Sequence, residues 1–386
     1  MYVSRLVLIN FRTYPRLALD LGPGVSIFVG ENGQGKTNLL EAIYYLATTR
    51  SPRASTDREL IRWEAQADSL PFARLEGRVR RASGDLHLEI LLKPEAPTLD
   101  GSPPILSRTI KLNGLPSRAA QLIGQMTVVL FSPDDVALAA GAPALRRRYL
   151  DIACSQVDSR YLRALQRFNR VLLQRNHLLR QVRERRQSRA ALDPWTEELV
   201  LTGAYVVRRR LDMLQSVNQT LGELYRALAR TGEALQAVYE CSFADGPLDQ
   251  PEAEIARRYR ARLDDLIARE IDQGVSLAGP QRDDFSLRAD SVHLGTYGSR
   301  GQQRLAVLAL KLAEAEFMCL RTGERPVLLL DDIFSELDSA RRRYVQERIA
   351  LGGQALITAT EREPFSPAFL ELAQVFEVER GLVRRA

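Results

Sequence analysis

The chain has 386 residues, 45% hydrophobic and 26% charged, with a formal net charge of +6. That much apolar material builds a core and excludes wholesale disorder, and the length suits one large or two ordinary domains. No run of 18 uncharged apolar residues occurs, and the N-terminus reads as a strand rather than a signal peptide, so a soluble cytoplasmic protein is expected.

In chain order, residues 4–11 are apolar and β-rich, Gly22-Pro23-Gly24 marks a turn, and residues 25–29 form a short buried strand. Residues 38–47 carry helical apolar spacing. Alternating runs between 72 and 114 suggest hairpins, with Asn113-Gly114 as a turn signal and a proline-rich loop over 94–104. Residues 127–131 read as another buried strand, closed by Ser132-Pro133-Asp134-Asp135.

From 134 to 270 the texture turns helical. Leu162, Leu165, Phe168, Leu172, Leu179 and Val182 mark one apolar face, and Asp193-Pro194 breaks the pattern. Val207, Leu211, Leu214, Val217, Leu221, Leu224 and Leu228 then mark a second face. Two such helices with a short break suggest an antiparallel hairpin, too short for a long coiled coil. After 271 the α/β texture returns, with a helix over 301–317, a strand over 327–330, a helix over 339–349 and closing strands near 355–358 and 375–378. The economical organisation is an α/β domain, 1–133 and 271–386, split by a mainly helical lobe, 134–270.

Only four of the 54 Lys and Arg residues are lysine, and residues 141–190 hold thirteen arginines against Asp151, Asp158 and Glu184. One segment therefore carries a concentrated positive field, which suggests a polyanionic partner unless it merely solvates a helix. The scattered Cys154, Cys241 and Cys319 and the equally scattered histidines give no basis for a disulfide framework, a zinc site or a His-based triad.

Gly30-Glu31-Asn32-Gly33-Gln34-Gly35-Lys36-Thr37 fits G-x-x-x-x-G-K-[ST] between a predicted strand and a predicted helix, the context that motif requires. Glycines let the backbone N–H groups curl around phosphate oxygens, and the helix N-terminus adds positive charge. Lys36 is expected on the β- and γ-phosphates and Thr37 on Mg²⁺. Leu328-Leu329-Leu330-Asp331-Asp332 is a buried strand ending in two acids. Beside such a loop, Asp331 would hold the Mg²⁺ and Asp332 would polarise the attacking water. Ser299-Arg300-Gly301-Gln302-Gln303 opens a helix where a Ser and a Gly backbone could form an anion site, but on its own an ordinary N-cap at Ser299 is the preferred reading.

These motifs in this order, with Asn10-Phe11-Arg12, Phe131-Ser132-Pro133, Gly279-Pro280-Gln281-Arg282-Asp283-Asp284 and Ser335-Glu336-Leu337-Asp338, resemble the ATP-binding-cassette heads of the SMC, Rad50 and RecF group. Within that group the resemblance is to the RecF family, over about residues 4–380. It implies a P-loop ABC-type ATPase head with an inserted helical second lobe. It also implies ATP and Mg²⁺ as cofactors, with Ser299, Gly301 and Gln302 binding the γ-phosphate held by another copy and Asp338 lying across that interface. The implied activity is weak, DNA-stimulated ATP hydrolysis. A head-to-tail dimer would close on gapped duplex DNA, with Arg160, Arg163, Arg167, Arg170 and Arg175 facing phosphates. RecR, RecO and RecA are the implied partners in recombinational repair and replication. Gln281 stands where the family usually has His, and Thr360 lies near the switch-His position of transporter cassettes. Asp332 is one methylene shorter than the usual Glu, which suggests slow turnover.

Three alternatives remain open from sequence. A transporter cassette is disfavoured by the helical insertion. A nuclease head would need a further acidic metal cluster, for which Asp283-Asp284 is a poor candidate because it lacks partner ligands, and a purely architectural head would leave Asp331-Asp332 without a use.

Overall fold

The computed structural model describes residues 1–67, 71–94, 106–244 and 250–386. The expected loop over 94–104 lies, apart from Pro94, outside them. The elements run β1 (Tyr2–Phe11), β2 (Tyr14–Asp20), β3 (Val25–Val29), α1 (Lys36–Thr48), β4 (Ala73–Arg80), β5 (Leu86–Pro94), β6 (Leu106–Leu112), β7 (Leu115–Ser117), α2 (Ala119–Leu122) and β8 (Val128–Phe131). There follow α3 (Ala137–Ala140), α4 (Pro143–Val157), α5 (Ser159–Arg183), α6 (Asp193–Ala229), β9 (Leu235–Glu240), α7 (Glu252–Gln273), β10 (Asp284–Ala289), β11 (Val292–His293) and α8 (Leu294–Tyr297). The chain closes with α9 (Arg300–Thr322), β12 (Val327–Asp331), α10 (Ser339–Ala350), β13 (Ala355–Ala359), α11 (Pro367–Leu372), β14 (Ala373–Glu379) and β15 (Leu382–Arg385).

Two compact units result, Met1–Asp135 with Glu314–Ala386, and Val136–Ala313. The first unit holds two sheets. One is antiparallel in the order β2-β1-β4-β5-β6-β7; the other runs β15-β14-β3-β13-β12-β8 and is parallel except for β15. The parallel strands β8, β12 and β13 are near-continuous apolar runs, as strands covered on both faces must be. Ile27, Leu329, Leu330, Leu356 and Ile357 are fully buried. Asn113 and Gly114 both take positive φ and close the β6–β7 hairpin, as the Asn-Gly signal requires.

The second unit is built on α5 and α6. Hydrogen bonds join Arg175 to Thr196 and Asp158 to Tyr205, so the two helices run antiparallel, and Cys154 of α4 lies on Met213 of α6. The break between them is where Asp193-Pro194 places it, with Pro194 in the first turn of α6. Two features differ from the sequence reading. Strand β9 interrupts the helical stretch and pairs with β10 along all six of its residues. The return to the first unit comes at Glu314 rather than 271, because β10 pairs with β9 and Asp284 binds Arg146 of α4.

Candidate nucleotide site

Strand β3 delivers the phosphate-loop sequence to α1. Gly30 donates its N–H to the Ala359 carbonyl at 3.3 Å, and a Cβ there would lie 2.3 Å from the Val378 carbonyl oxygen, so the strand–loop junction admits no side chain. Gly35, at φ 109°, sits before α1, and a Cβ would strike the Thr13 hydroxyl at 2.6 Å. Glu31, Asn32 and Gly33 form the exposed crown of the loop. Two tight turns splint it from either side. Tyr14, after the β1–β2 turn, donates to the Gly35 carbonyl at 3.0 Å, and burial raises its phenol pKa far above the ordinary value. At the β14–β15 turn, Arg380 N–H donates to Gln34 Oε1 at 2.7 Å and Gly381 N–H to the Gln34 carbonyl at 3.2 Å.

Lys36 is buried, and its ammonium donates to the carbonyls of Gly30 and of Glu31, the latter at 2.8 Å. Burial lowers its pKa, with Asp332 and Asp331 opposing the change. At the second residue of the helix, Thr37 Oγ1 donates to Asp331 Oδ1 at 2.8 Å. The first acid at the end of β12 is therefore brought against the phosphate loop, as expected. Asp332 takes a left-handed backbone at φ 50° and opens a single helical turn, Ile333–Glu336. Partial burial raises its pKa, the neighbouring Asp331 adds to this, and Lys36 opposes it. A raised carboxylate beside a phosphate loop suits a general base. Thr37 and Asp331 are hard oxygen donors of the kind Mg²⁺ takes, so the cation fits this pair.

Sequence reasoning missed Thr358. Its buried hydroxyl donates to Asp331 Oδ1 at 2.8 Å and accepts from Asp332 N–H at 2.9 Å. A polar residue ending an apolar strand was the available signal. Arg12 was noticed but not given a partner: it forms a two-pronged ion pair with buried Glu41 of α1, at 2.7 and 2.8 Å. Asp338 caps α10 through Arg341 N–H at 2.9 Å and pairs with the Arg341 guanidinium at 2.6 Å.

In the second unit, Ser299 and Gln302 form a reciprocal cap at the start of α9. Gln302 N–H donates to Ser299 Oγ at 3.2 Å and Ser299 N–H to Gln302 Oε1 at 2.9 Å. Ser299 and Gly301 are exposed, and a Cβ on Gly301 would meet nothing nearer than Ser299 Oγ at 3.9 Å. Gln303 points inward and donates to the Leu294 carbonyl at 2.9 Å, fixing this helix end.

Arg160 is exposed and lies over the Tyr205 ring, 4.6 Å from its centroid. Arg163, Arg167 and Arg170 are exposed on the same helix, with Arg167 paired to Glu198. Arg175 is corrected. It is fully buried, paired with Glu270 at 2.7 Å and hydrogen-bonded to Ser276 at 2.7 Å and Thr196 at 3.0 Å, so it cannot face DNA. Of the acids of Gly279–Asp284, Asp283 is buried and Asp284 partly buried, and both have partners within the unit. Asp283, its pKa raised by burial, accepts from Tyr239 and from Ser242 N–H, while Asp284 holds Arg146 through two bonds of 2.7 Å. These two carboxylates knit the second unit together, which removes them as the nuclease's metal cluster.

A parallel sheet with a phosphate loop after β3, paired acids after β12 and an inserted helical unit define an ATPase head of the SMC type. The chain matches the family described as RecF/RecN/SMC N terminal domain over residues 2–384. It is 46% identical to the DNA replication and repair protein RecF of Roseiflexus castenholzii and 36% identical to that of Halalkalibacterium halodurans, each alignment covering at least 99% of both chains. The solved structure of a recombination mediator protein RecF with ATP, from the RecFOR pathway, superposes with a TM-score of 0.87 at 30% identity, covering 100% of this chain and 97% of that one. An Smc head bound to the C-winged helix domain of ScpA shares the fold alone, at TM-score 0.56 and 16% identity. The chain belongs to the RecF family of DNA replication and repair proteins. Among the described residues, no helix is long and apolar enough to cross a membrane.

Proposed function

We propose that this protein is an ATP-gated DNA clamp of recombinational repair. ATP joins two copies head to tail, the dimer holds gapped duplex DNA, and slow hydrolysis releases it. The observation that carries this reading is the meeting of Lys36, Thr37, Asp331 and Asp332 at the phosphate loop, while Ser299 and Gly301 stand exposed at a helix N-terminus. The solved RecF–ATP relative supports the nucleotide, and its place in a RecFOR pathway supports RecO and RecR as partners that direct RecA onto DNA.

In this reading the loop N–H groups and Lys36 hold the β- and γ-phosphates, and Thr37 and Asp331 would hold Mg²⁺, whose charge would offset that of the phosphate oxygens. Asp332 takes a proton from water as that water attacks the γ-phosphorus, and the bond to the β-phosphate oxygen breaks to leave ADP and phosphate. Ser299, Gly301 and Gln302 of a second copy complete the γ-phosphate contacts, with Asp338 at the same junction.

Arg160, Arg163, Arg167 and Arg170 supply the DNA face. Replacing Arg163, Arg167 and Arg170 together by Gln should weaken duplex binding and reduce the slope of log affinity against log salt by about three. Fluorescence anisotropy with ATP across a salt series reads both quantities. An unchanged slope would exclude this face, and wild-type DNA affinity indifferent to ATP would exclude the clamp.

A further inference from the structure

Thr358 stands between the two acids of the site, and the parallel ladder puts it there: β13 pairs with β12 so that Thr358 lies opposite Asp331. Its side chain is buried, where a hydroxyl needs partners, and it has two. A carboxylate oxygen can only accept and a backbone N–H can only donate. The proton on Thr358 Oγ1 is therefore committed to Asp331 Oδ1, at 2.8 Å, and its lone pair to Asp332 N–H, at 2.9 Å. Asp331 Oδ1 also accepts from Thr37, so one oxygen is held from the phosphate-loop helix and from the neighbouring strand at once. On the other side, the bond from Asp332 N–H pins a residue whose left-handed backbone, φ 50°, is costly for a non-glycine residue.

We infer that Thr358 is the positioning residue of the site. Its single hydroxyl aims Asp331 at the cation and fixes the backbone from which Asp332 projects toward the attacking water. This rests on the ATPase reading of the same site. Thr37 and Asp331 are both cation ligands in that reading, so the hydrogen bond between them gives way to the cation. The bond from Thr358 has no such competitor and continues to orient Asp331.

Thr358→Val keeps the shape and the β-branched strand preference but removes both bonds, whereas Thr358→Ser keeps the hydroxyl and removes only the methyl. The measurement is ATP affinity by titration calorimetry in EDTA and in Mg²⁺, together with turnover and a melting curve for each variant. For Thr358→Val the affinity in EDTA should stay within about twofold of wild type. The gain in affinity on adding Mg²⁺ and kcat should each fall about tenfold or more, the usual cost of losing a group that orients a metal ligand. Thr358→Ser should restore both to within about threefold. A Thr358→Val protein with wild-type Mg²⁺ gain and turnover would overturn the inference, as would a Thr358→Ser protein as impaired as the valine variant. Wild-type protein without Mg²⁺-dependent ATP binding would overturn the ATPase reading as well, which separates the two failures.

Discussion

Asp332→Asn should lower ATP turnover by about 10²–10⁴-fold while leaving ATP affinity within about twofold of wild type. The amide keeps the size of the side chain and cannot take a proton. The backbone bond from Asp332 N–H to Thr358 is untouched by the change, so the local fold survives. In the proposed clamp, which opens on hydrolysis, the variant should also stay dimeric and DNA-bound far longer after a single charge of ATP. Burial raises the Asp332 pKa, so the acid limb of the wild-type rate profile should lie above the ordinary aspartate value of about 3.9. The sign for stability is the reverse of the usual salt-bridged carboxylate. A raised folded-state pKa means that ionisation disfavours the fold once pH exceeds the unfolded value, so Asp332→Asn should be slightly more stable than wild type at pH 7. Single-turnover kinetics across a pH series reads the turnover and the acid limb, and a parallel melting curve reads the stability; a full-rate Asn variant would remove Asp332 as the base.

Arg175→Met should cost about 3–5 kcal/mol of stability and leave the second unit the first to unfold in urea. The substitution leaves Glu270 buried with its charge uncompensated, retaining from this network only the Leu277 N–H, at 2.7 Å, on its other oxygen. Glu270 also lies one helical turn from Leu266 and beside the cluster of Phe168, Leu199, Tyr259 and Leu263, so the network underpins the packing of α5, α6 and α7. Pairing Arg175→Met with Glu270→Leu should recover much of the loss, because two apolar groups of similar volume replace a charge pair that was expensive to desolvate. DNA affinity, corrected for the folded fraction, should not change. Urea unfolding followed by anisotropy distinguishes this from a phosphate contact, whose loss would weaken DNA binding and leave the unfolding midpoint where it was.

The contrast between these two residues explains what the sequence could disclose. The place of Asp332 was legible because it is written locally: four apolar residues, Val327 to Leu330, then two acids at the end of a buried strand. Arg175 was misread for the opposite reason. On α5 it sits among Arg163, Arg167, Arg170 and Arg180 with the same spacing as its exposed neighbours, and its burial is created by Glu270 and Ser276 about 100 residues later. Strand β9 was hidden in the same way, since a six-residue segment between long helices becomes a strand only when β10 arrives to pair with it. Thr358, Tyr14 and the Arg380-Gly381 turn complete the nucleotide site through contacts that join distant parts of the chain. Their sequence signals, a polar strand end and a tight turn, are common to many folds that bind no nucleotide.

The central claim is that ATP, held at the Lys36 loop of one copy, joins two copies of this chain. Sedimentation velocity on wild-type protein and on Lys36→Met, without nucleotide, with ATP, and with ATP plus gapped duplex, tests it most directly. Wild-type protein should pass from monomer to dimer on adding ATP and carry DNA with it, while Lys36→Met stays monomeric under all three conditions. Wild-type protein that binds ATP yet keeps both its monomer mass and its nucleotide-free DNA affinity would contradict the composite site.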